Sequence, residues 1–155
     1  MERAPLILLV DDDANDEELA RLALQRVAIP HRLEVVHDGV EALEWLQRRG
    51  AFAARAVDDT EPRLILLDLK LPKLNGLETL VEIRRDERTR LLPVVVFTSS
   101  VEEKDVIASY LRGANAYLRK PVDFHEYKEL IADVGRFWMQ HNRPPTSSDR
   151  EEGGG

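Results

Sequence analysis

Acids, a hydroxyl and a lysine stand at the ends of short apolar runs in this chain. "LILLVDDDAND" sets Asp11, Asp12 and Asp13 directly behind a run of aliphatic residues. "RLILLD" ends on Asp68, "PVVVFTS" on Thr98 and Ser99, and "AYLRK" on Lys120, with Pro121 next. Singly, each has a plain explanation. A strand-end Asp is most often a turn or cap residue, a Thr after "VVVF" is a β-branched strand residue, and a Lys is a solvated charge. Together they suit phosphoryl transfer to a carboxylate. A hard divalent cation such as Mg²⁺ (or Mn²⁺) takes oxygen ligands and keeps several waters, so a few Asp residues suffice to hold it. That cation would also neutralise three adjacent acids. An Asp nucleophile yields an aspartyl-phosphate. Charge developing on the phosphoryl oxygens calls for a cation and a hydroxyl donor, the roles Lys120 and Thr98 could fill.

The elements that must position these residues are legible as an alternation. "LILLV" (6–10), "RLEVV" (32–36), "RLILLD" (63–68), "PVVVFT" (93–98) and "AYLR" (116–119) read as strands, mostly continuous apolar runs of the kind covered on both faces. Between them run helical stripes: Leu19, Leu22, Ala23, Val27; then Val40, Leu43, Leu46, with Trp45 flanking; then Leu77, Leu80, Val81; then Ile107, Tyr110, Leu111, closed by Gly113. A fifth helix starts at Asp123, with Glu126 as capping-box partner and a core stripe of Phe124, Tyr127, Ile131, Val134 and Trp138. The alternation predicts an α/β fold: a doubly wound, flavodoxin-like parallel sheet with strand order 2-1-3-4-5 and helices on both faces. In such sheets ligands bind outside the carboxyl ends of the strands, where all the candidate residues fall.

Composition bounds the rest. The 155 residues fit one domain, expected over 1–141, followed by a flexible tail over 142–155. With no cysteine, thiol catalysis and disulfides are excluded. No apolar run approaches the ~18 residues that span a bilayer. A net charge of −7 opposes binding to nucleic acid or anionic membrane, so a cytoplasmic acidic domain is expected. His31, His37, His125 and His141 lack ligand spacing and read as surface residues. The stretch 48–63 reads as a long surface connection.

"VDD" (10–12), "DLKLPKLNG" (68–76), "FTSS" (97–100) and "YLRKP" (117–121) resemble, in order and position, the motifs of response-regulator receiver domains of two-component signalling. The resemblance covers residues 5 to 138. It implies that Asp68 is the phosphoacceptor, that Asp12 binds Mg²⁺ directly and Asp11 largely through water, and that the Lys70 backbone carbonyl completes the protein ligands. It implies that Lys120 pairs with the phosphoryl group, that Thr98 turns its hydroxyl toward it, and that Tyr117 repacks in concert. Pro121 stands where the family often has a cis bond, Asn75 and Gly76 where a turn tolerates positive φ, and Asp13 has no matching role. Lys70 and Ser100 occupy positions that vary in the family and tune phosphate lifetime. The connection 48–63 and the ending "GRFWMQHNRPP" (135–145), with no output domain, are similar to stand-alone regulators that partner phytochrome-type histidine kinases. The implied partners are a sensor histidine kinase, of bacteriophytochrome type, and a downstream phosphotransfer or effector protein. The implied activity is a switch that catalyses only its own phosphorylation and dephosphorylation.

Other readings fit less well. A Mg²⁺-dependent phosphohydrolase with an Asp nucleophile usually has a second acid two residues on, where this chain has Lys70. A flavin-binding module would want a phosphate-cradling loop after the first strand, and "DDDAND" has the wrong charge. A DNA-binding regulator would need a helix-turn-helix domain after Pro121, for which too few residues follow. Finally, Leu130 and Phe137, with His141 beside them, form a second apolar stripe on the last helix. With Val134 they predict an isologous homodimer interface, centred on Phe137.

Overall fold

The computed structural model describes residues 4–55 and 61–145. Most of the expected flexible tail (146–155) and the middle of the 48–63 connection (56–60) lie outside the described residues. Five strands, β1 (Leu6–Val10), β2 (Arg32–Val36), β3 (Leu64–Leu67), β4 (Val94–Thr98) and β5 (Ala116–Arg119), alternate with five helices. The helices are α1 (Ala14–Gln25), α2 (Gly39–Gln47), α3 (Gly76–Arg85), α4 (Glu103–Leu111) and α5 (Phe124–Arg136). All neighbouring strands pair in parallel, in the order β2-β1-β3-β4-β5. This is the doubly wound fold the alternation predicts.

Strand alternation divides the core in two. Leu6, Leu8, Val10, Ile65, Leu67, Val94 and Val96 point to one face and pack with Trp45, Leu46, Leu80 and Ile83 of α2 and α3. Ile7, Leu9, Leu64, Leu66, Val95 and Phe97 point to the other and pack with Ala20, Ala23, Leu24, Tyr127 and Ile131 of α1 and α5. The interior strands β1, β3 and β4 are therefore apolar almost throughout because both of their faces are covered. The edge strands β2 and β5 carry Arg32, Glu34 and Arg119 and are less buried.

Several helices are rotated from the stripes read off the sequence. On α1 the buried set is Ala20, Ala23 and Leu24, with Val27 buried just beyond its end, while Leu22 turns out. On α2 it is Ala42, Trp45 and Leu46, so Trp45 is a core residue and Val40 is exposed. The largest departure is α4: Ile107, Tyr110 and Leu111 are 51, 52 and 80% exposed, and Ser109 is the buried position. Small residues explain these shifts. Ala and Ser let a helix approach the sheet closely, yet they contribute little to an apolar stripe. Gly135 acts alike on α5, where an added Cβ would lie 2.9 Å from Leu24 Cδ2.

The end of α5 departs for a different reason. After Arg136 the chain widens into a π-helical turn, Phe137–His141, closed by the Asn142 amide donating to the Phe137 carbonyl at 2.7 Å. The wider turn rotates the following side chains, so Met139 enters the core and Trp138 is only half-buried. Arg63 pins this turn by donating to the Met139 carbonyl at 3.0 Å. Tyr127, Ile131 and Val134 are buried as the stripe requires, but Phe124 is exposed.

The reassigned α2 face gives a direct test. Trp45→Ala is expected to cost about 3–5 kcal/mol, the usual range for emptying a large aromatic site. Val40→Ala should stay within about 0.5 kcal/mol, as for surface changes. Urea unfolding with an unchanged slope measures both; equal losses would restore the Val40 stripe.

Candidate functional site

The sheet itself holds the candidate residues. The Asp11 amide continues the ladder by donating to the Val36 carbonyl at 3.1 Å, and the Asp68 amide to Val10 at 3.0 Å. The Lys120 amide donates to the Thr98 carbonyl at 2.7 Å. Each side chain thus leaves from a backbone still fixed in the sheet, one step past its strand. All project at the carboxyl rim.

The three consecutive acids have three different fates. Asp11 is buried, and its Oδ1 accepts the Asp13 amide at 2.9 Å. Asp12 is exposed and contributes an oxygen to a cluster with Asp11 and Asp68, whose ligand atoms lie within 4.8 Å of one another. Asp13, to which the sequence assigned no role, caps α1 by accepting the amides of Asn15 and Asp16 at 2.8 and 3.2 Å. Capping thus falls to Asp13, while Asp11 and Asp12 stand in an oxygen cluster of a geometry suited to a cation.

Lys120 sits at the centre. Its Nζ lies 2.8 Å from Asp11 Oδ2, 2.7 Å from Asp68 Oδ2 and 2.7 Å from Asp16 Oδ2. An ammonium has three donors, and three carboxylates take them. Burial alone would push the Lys120 pKa down; the charge of Asp68 and the bonds to Asp11, Asp16 and Asp68 outweigh it and hold the lysine protonated. Burial raises Asp11 from 3.8 to about 6, against the opposing pull of Lys120.

Asp16 was missed by the sequence reading. Its signal was its place: it is the third residue of α1, in the first turn, a few residues after the strand end that carries Asp11 and Asp12. Without the sheet order, nothing in the sequence says that this turn faces the end of β5.

The loop from β3 to α3 holds the Asp68 backbone tightly. Gly76 approaches so closely that an added Cβ would lie 2.2 Å from the Asp68 carbonyl oxygen. The positive φ expected at Asn75 and Gly76 occurs instead at Lys73, at 65°. Asn75, at φ −72°, is the N-cap of α3 in a complete capping box with Glu78. The Lys70 amide donates to Asp68 Oδ1 at 3.2 Å, so its backbone borders the acids while its side chain is exposed.

On the β4 side, the Thr98 Oγ1 is fully buried and has no hydrogen-bond partner among the described residues. A buried hydroxyl left unpaired is costly, so its donor is available to an incoming oxygen. The Tyr117 hydroxyl donates to the Ser100 carbonyl at 3.1 Å, and Ser100 Oγ to Asp105 Oδ2 at 2.5 Å. The bond before Pro121 is trans, where the resemblance had pointed to cis. Of the residues expected at an interface, Phe137 is 50% exposed, His141 is exposed and Leu130 is half-buried. Val134, at 7%, belongs to the chain's own core and drops out of that set.

A parallel sheet of this order with an acid triad, a buried lysine and an unpaired threonine hydroxyl on its carboxyl rim describes a phosphoacceptor switch. Residues 7–132 match the response regulator receiver domain, and the chain belongs to that family. It is 38% identical to response regulator Rcp1 of Synechocystis sp., over 87% of this chain and 89% of that one. The structure of Rcp1 in its Mn²⁺-bound form superposes with a TM-score of 0.84, covering 92% of this chain and 99% of that one. The phosphorylated cyanobacterial phytochrome response regulator RcpA gives 0.85 at 34% identity, with coverage of 92 and 99%. The bacteriophytochrome response regulator RtBRR gives 0.71 at 46% identity, with coverage of 96 and 90%. The protein is a receiver-type response regulator that takes a phosphoryl group on an aspartate.

The buried Asp11 has a consequence for stability. Between pH ~4 and ~6 the folded form binds a proton that the unfolded chain, with its carboxyl near 3.8, does not. Ionised Asp11 therefore opposes folding, fully so above pH ~6, and stability rises as pH falls through this window. In chelator-treated buffer Asp11→Asn should be more stable than wild type at pH 8 by on the order of 1–3 kcal/mol. The advantage should shrink toward pH 4. A difference independent of pH, followed by denaturant unfolding, would contradict this account.

Proposed function

We propose that Asp68 accepts the phosphoryl group from a histidine kinase of phytochrome type, with Mg²⁺ held by Asp11, Asp12, Asp68 and the Lys70 carbonyl. The observation that carries this reading is the place of Asp68: it belongs to the acid triad and also lies 2.7 Å from Lys120 Nζ. A divalent cation on that triad supplies positive charge for the phosphoryl oxygens. The Mn²⁺-bound form of Rcp1 supports such a cation.

The side chains then divide the work. A carboxylate oxygen of Asp68 forms the bond to phosphorus as the bond from phosphorus to the donor's nitrogen breaks, and the leaving imidazole keeps the electron pair. Lys120 exchanges its bond to Asp68 Oδ2 for one to a phosphoryl oxygen. The unpaired hydroxyl of Thr98 donates to another, in a buried setting where such a bond counts most. Drawing Thr98 inward changes the floor beneath Tyr117, and the tie from Tyr117 to Ser100 carries the change to α4. A phosphatase reading has no general acid here, since Lys70 occupies the required position. The switch would act in the cytoplasm on a downstream phosphotransfer or effector protein.

With acetyl phosphate and Mg²⁺, wild type should gain about 80 Da, one phosphoryl group on a carboxylate. Asp68→Asn should gain none, and Asp12→Ala should lose Mg²⁺ affinity in calorimetric titration. Lys120→Ala should keep binding Mg²⁺ yet phosphorylate slowly. Full-yield mass gain in Asp68→Asn would remove the assignment.

A homodimer through Leu130, Phe137 and His141 belongs to the same proposal. Phe137 stands edge-on to Trp138, with ring centroids 5.1 Å apart, and half of it faces solvent. What supports the interface is that Phe137 and the half-buried Leu130 lie on one side of the helix, since contiguous apolar surface marks interaction sites. Light scattering at tens of micromolar should report a dimer that Phe137→Glu splits. A monomeric wild type, or a variant that stays dimeric, would rule the interface out.

A further inference from the structure

We infer that Asp16 is a positioning residue for phosphoryl transfer: it holds Lys120 from outside the set of acids that bind the cation. The inference rests on the assignment of Asp68 and Lys120 above. Three carboxylates bond Nζ, but they are not equivalent. Asp11 and Asp68 also belong to the oxygen cluster suited to a divalent cation, and Asp16 does not. Two of the three partners of Lys120 are therefore shared with the chemistry. The third has Lys120 as its side-chain partner.

The surroundings of Asp16 are built to hold it in place. Its amide is bound by the Asp13 cap at 3.2 Å, which fixes the first turn of α1. Its carbonyl accepts the hydroxyl of Tyr127 at 3.3 Å, and the Tyr127 ring packs against Phe97 with centroids 5.2 Å apart. Phe97 in turn lies beneath Lys120, whose Nζ is 5.9 Å from its ring centroid. Helix α1, helix α5 and strand β4 thus converge on the one carboxylate that reaches Nζ from the α1 side. When Lys120 releases Asp68 Oδ2 for a phosphoryl oxygen, a second donor stays on Asp16. The ammonium turns about that anchor and need not be found afresh. Positioning of this kind acts on rate, since a misplaced charge stabilises the developing phosphoryl charge poorly.

Full-length wild type, Asp16→Ala and Asp16→Asn are compared by three measurements: Mg²⁺ affinity by calorimetry, initial phosphorylation rate against acetyl phosphate at saturating Mg²⁺, and proton exchange of the Lys120 ammonium by ¹⁵N NMR. Asp16→Ala should phosphorylate roughly 3–10-fold more slowly at saturating Mg²⁺, a loss of the size that one positioning contact carries. Its Mg²⁺ affinity should stay within about twofold of wild type, because the oxygen set of the cation is intact. The Lys120 ammonium protons should exchange faster. Asp16→Asn, which keeps an acceptor, should recover at least half of the lost rate. An Asp16→Ala rate equal to wild type, a Mg²⁺ affinity weakened well beyond about twofold, or an Asn variant no better than Ala would each overturn the inference. Failure of the Asp68 assignment shows differently, as mass gain in Asp68→Asn, and leaves these comparisons readable.

Discussion

Every part of the site depends on one buried ammonium. Carboxylates about 4 Å apart repel by roughly 4 kcal/mol at an effective dielectric near 20, and the parallel sheet forces several into that range. The ladder bonds of Asp11 and Asp68 leave no freedom to move apart. Lys120 resolves the conflict. It is the one buried lysine or arginine among the described residues, and all three of its donors go to acids. The arrangement is still unfavourable to Asp11, whose raised pKa records that one cation does not offset the burial of its charge. A site in that condition binds a further positive charge readily, which is how a cost to folding becomes a function.

The same economy governs what surrounds the site. The unpaired Thr98 hydroxyl is a second unmet demand, close in the chain to the bond between Tyr117 and Ser100. The helix beyond that bond, α4, is the least buried of the five, with Ser109 as its single buried residue. In the proposed switch, a signal entering at the rim would thus meet the least buried helix first.

Much of this was legible in the residues, and what was not has specific causes. The strands could be bounded almost to the residue, because runs such as "LILLV" and "VVVFT" are apolar at every position and end in acid or hydroxyl. The site residues followed, since parallel strands place their ends together. Helix faces were read less well wherever Ala, Ser or Gly made the contact, as with Ala20, Ser109 and Gly135: closeness of approach is a property of two surfaces and leaves little trace in one. Trp138 and Met139 exchanged places through a π-helical turn that no 100° periodicity anticipates. Asp16 escaped notice because its partner is more than a hundred residues away and is set by strand order, not by spacing. Val134 was assigned to two surfaces at once, and burial chose between them.

The interior position of β1 bears on how the chain is made. This strand leaves the ribosome before the other four, yet its two neighbours are β2 and β3, and one of its faces is covered by α1 and by α5. At roughly 5–20 residues per second, "LILLV" waits several seconds for full cover. No N-terminal fragment closes the Ile7 and Leu9 side of the core, because Tyr127 and Ile131 complete it. Nascent chains should therefore remain protease-sensitive until α5 clears the exit tunnel, and then close in one cooperative step. The acids that follow the strand serve the nascent chain as well, since charge directly behind an aliphatic run discourages association with its neighbours.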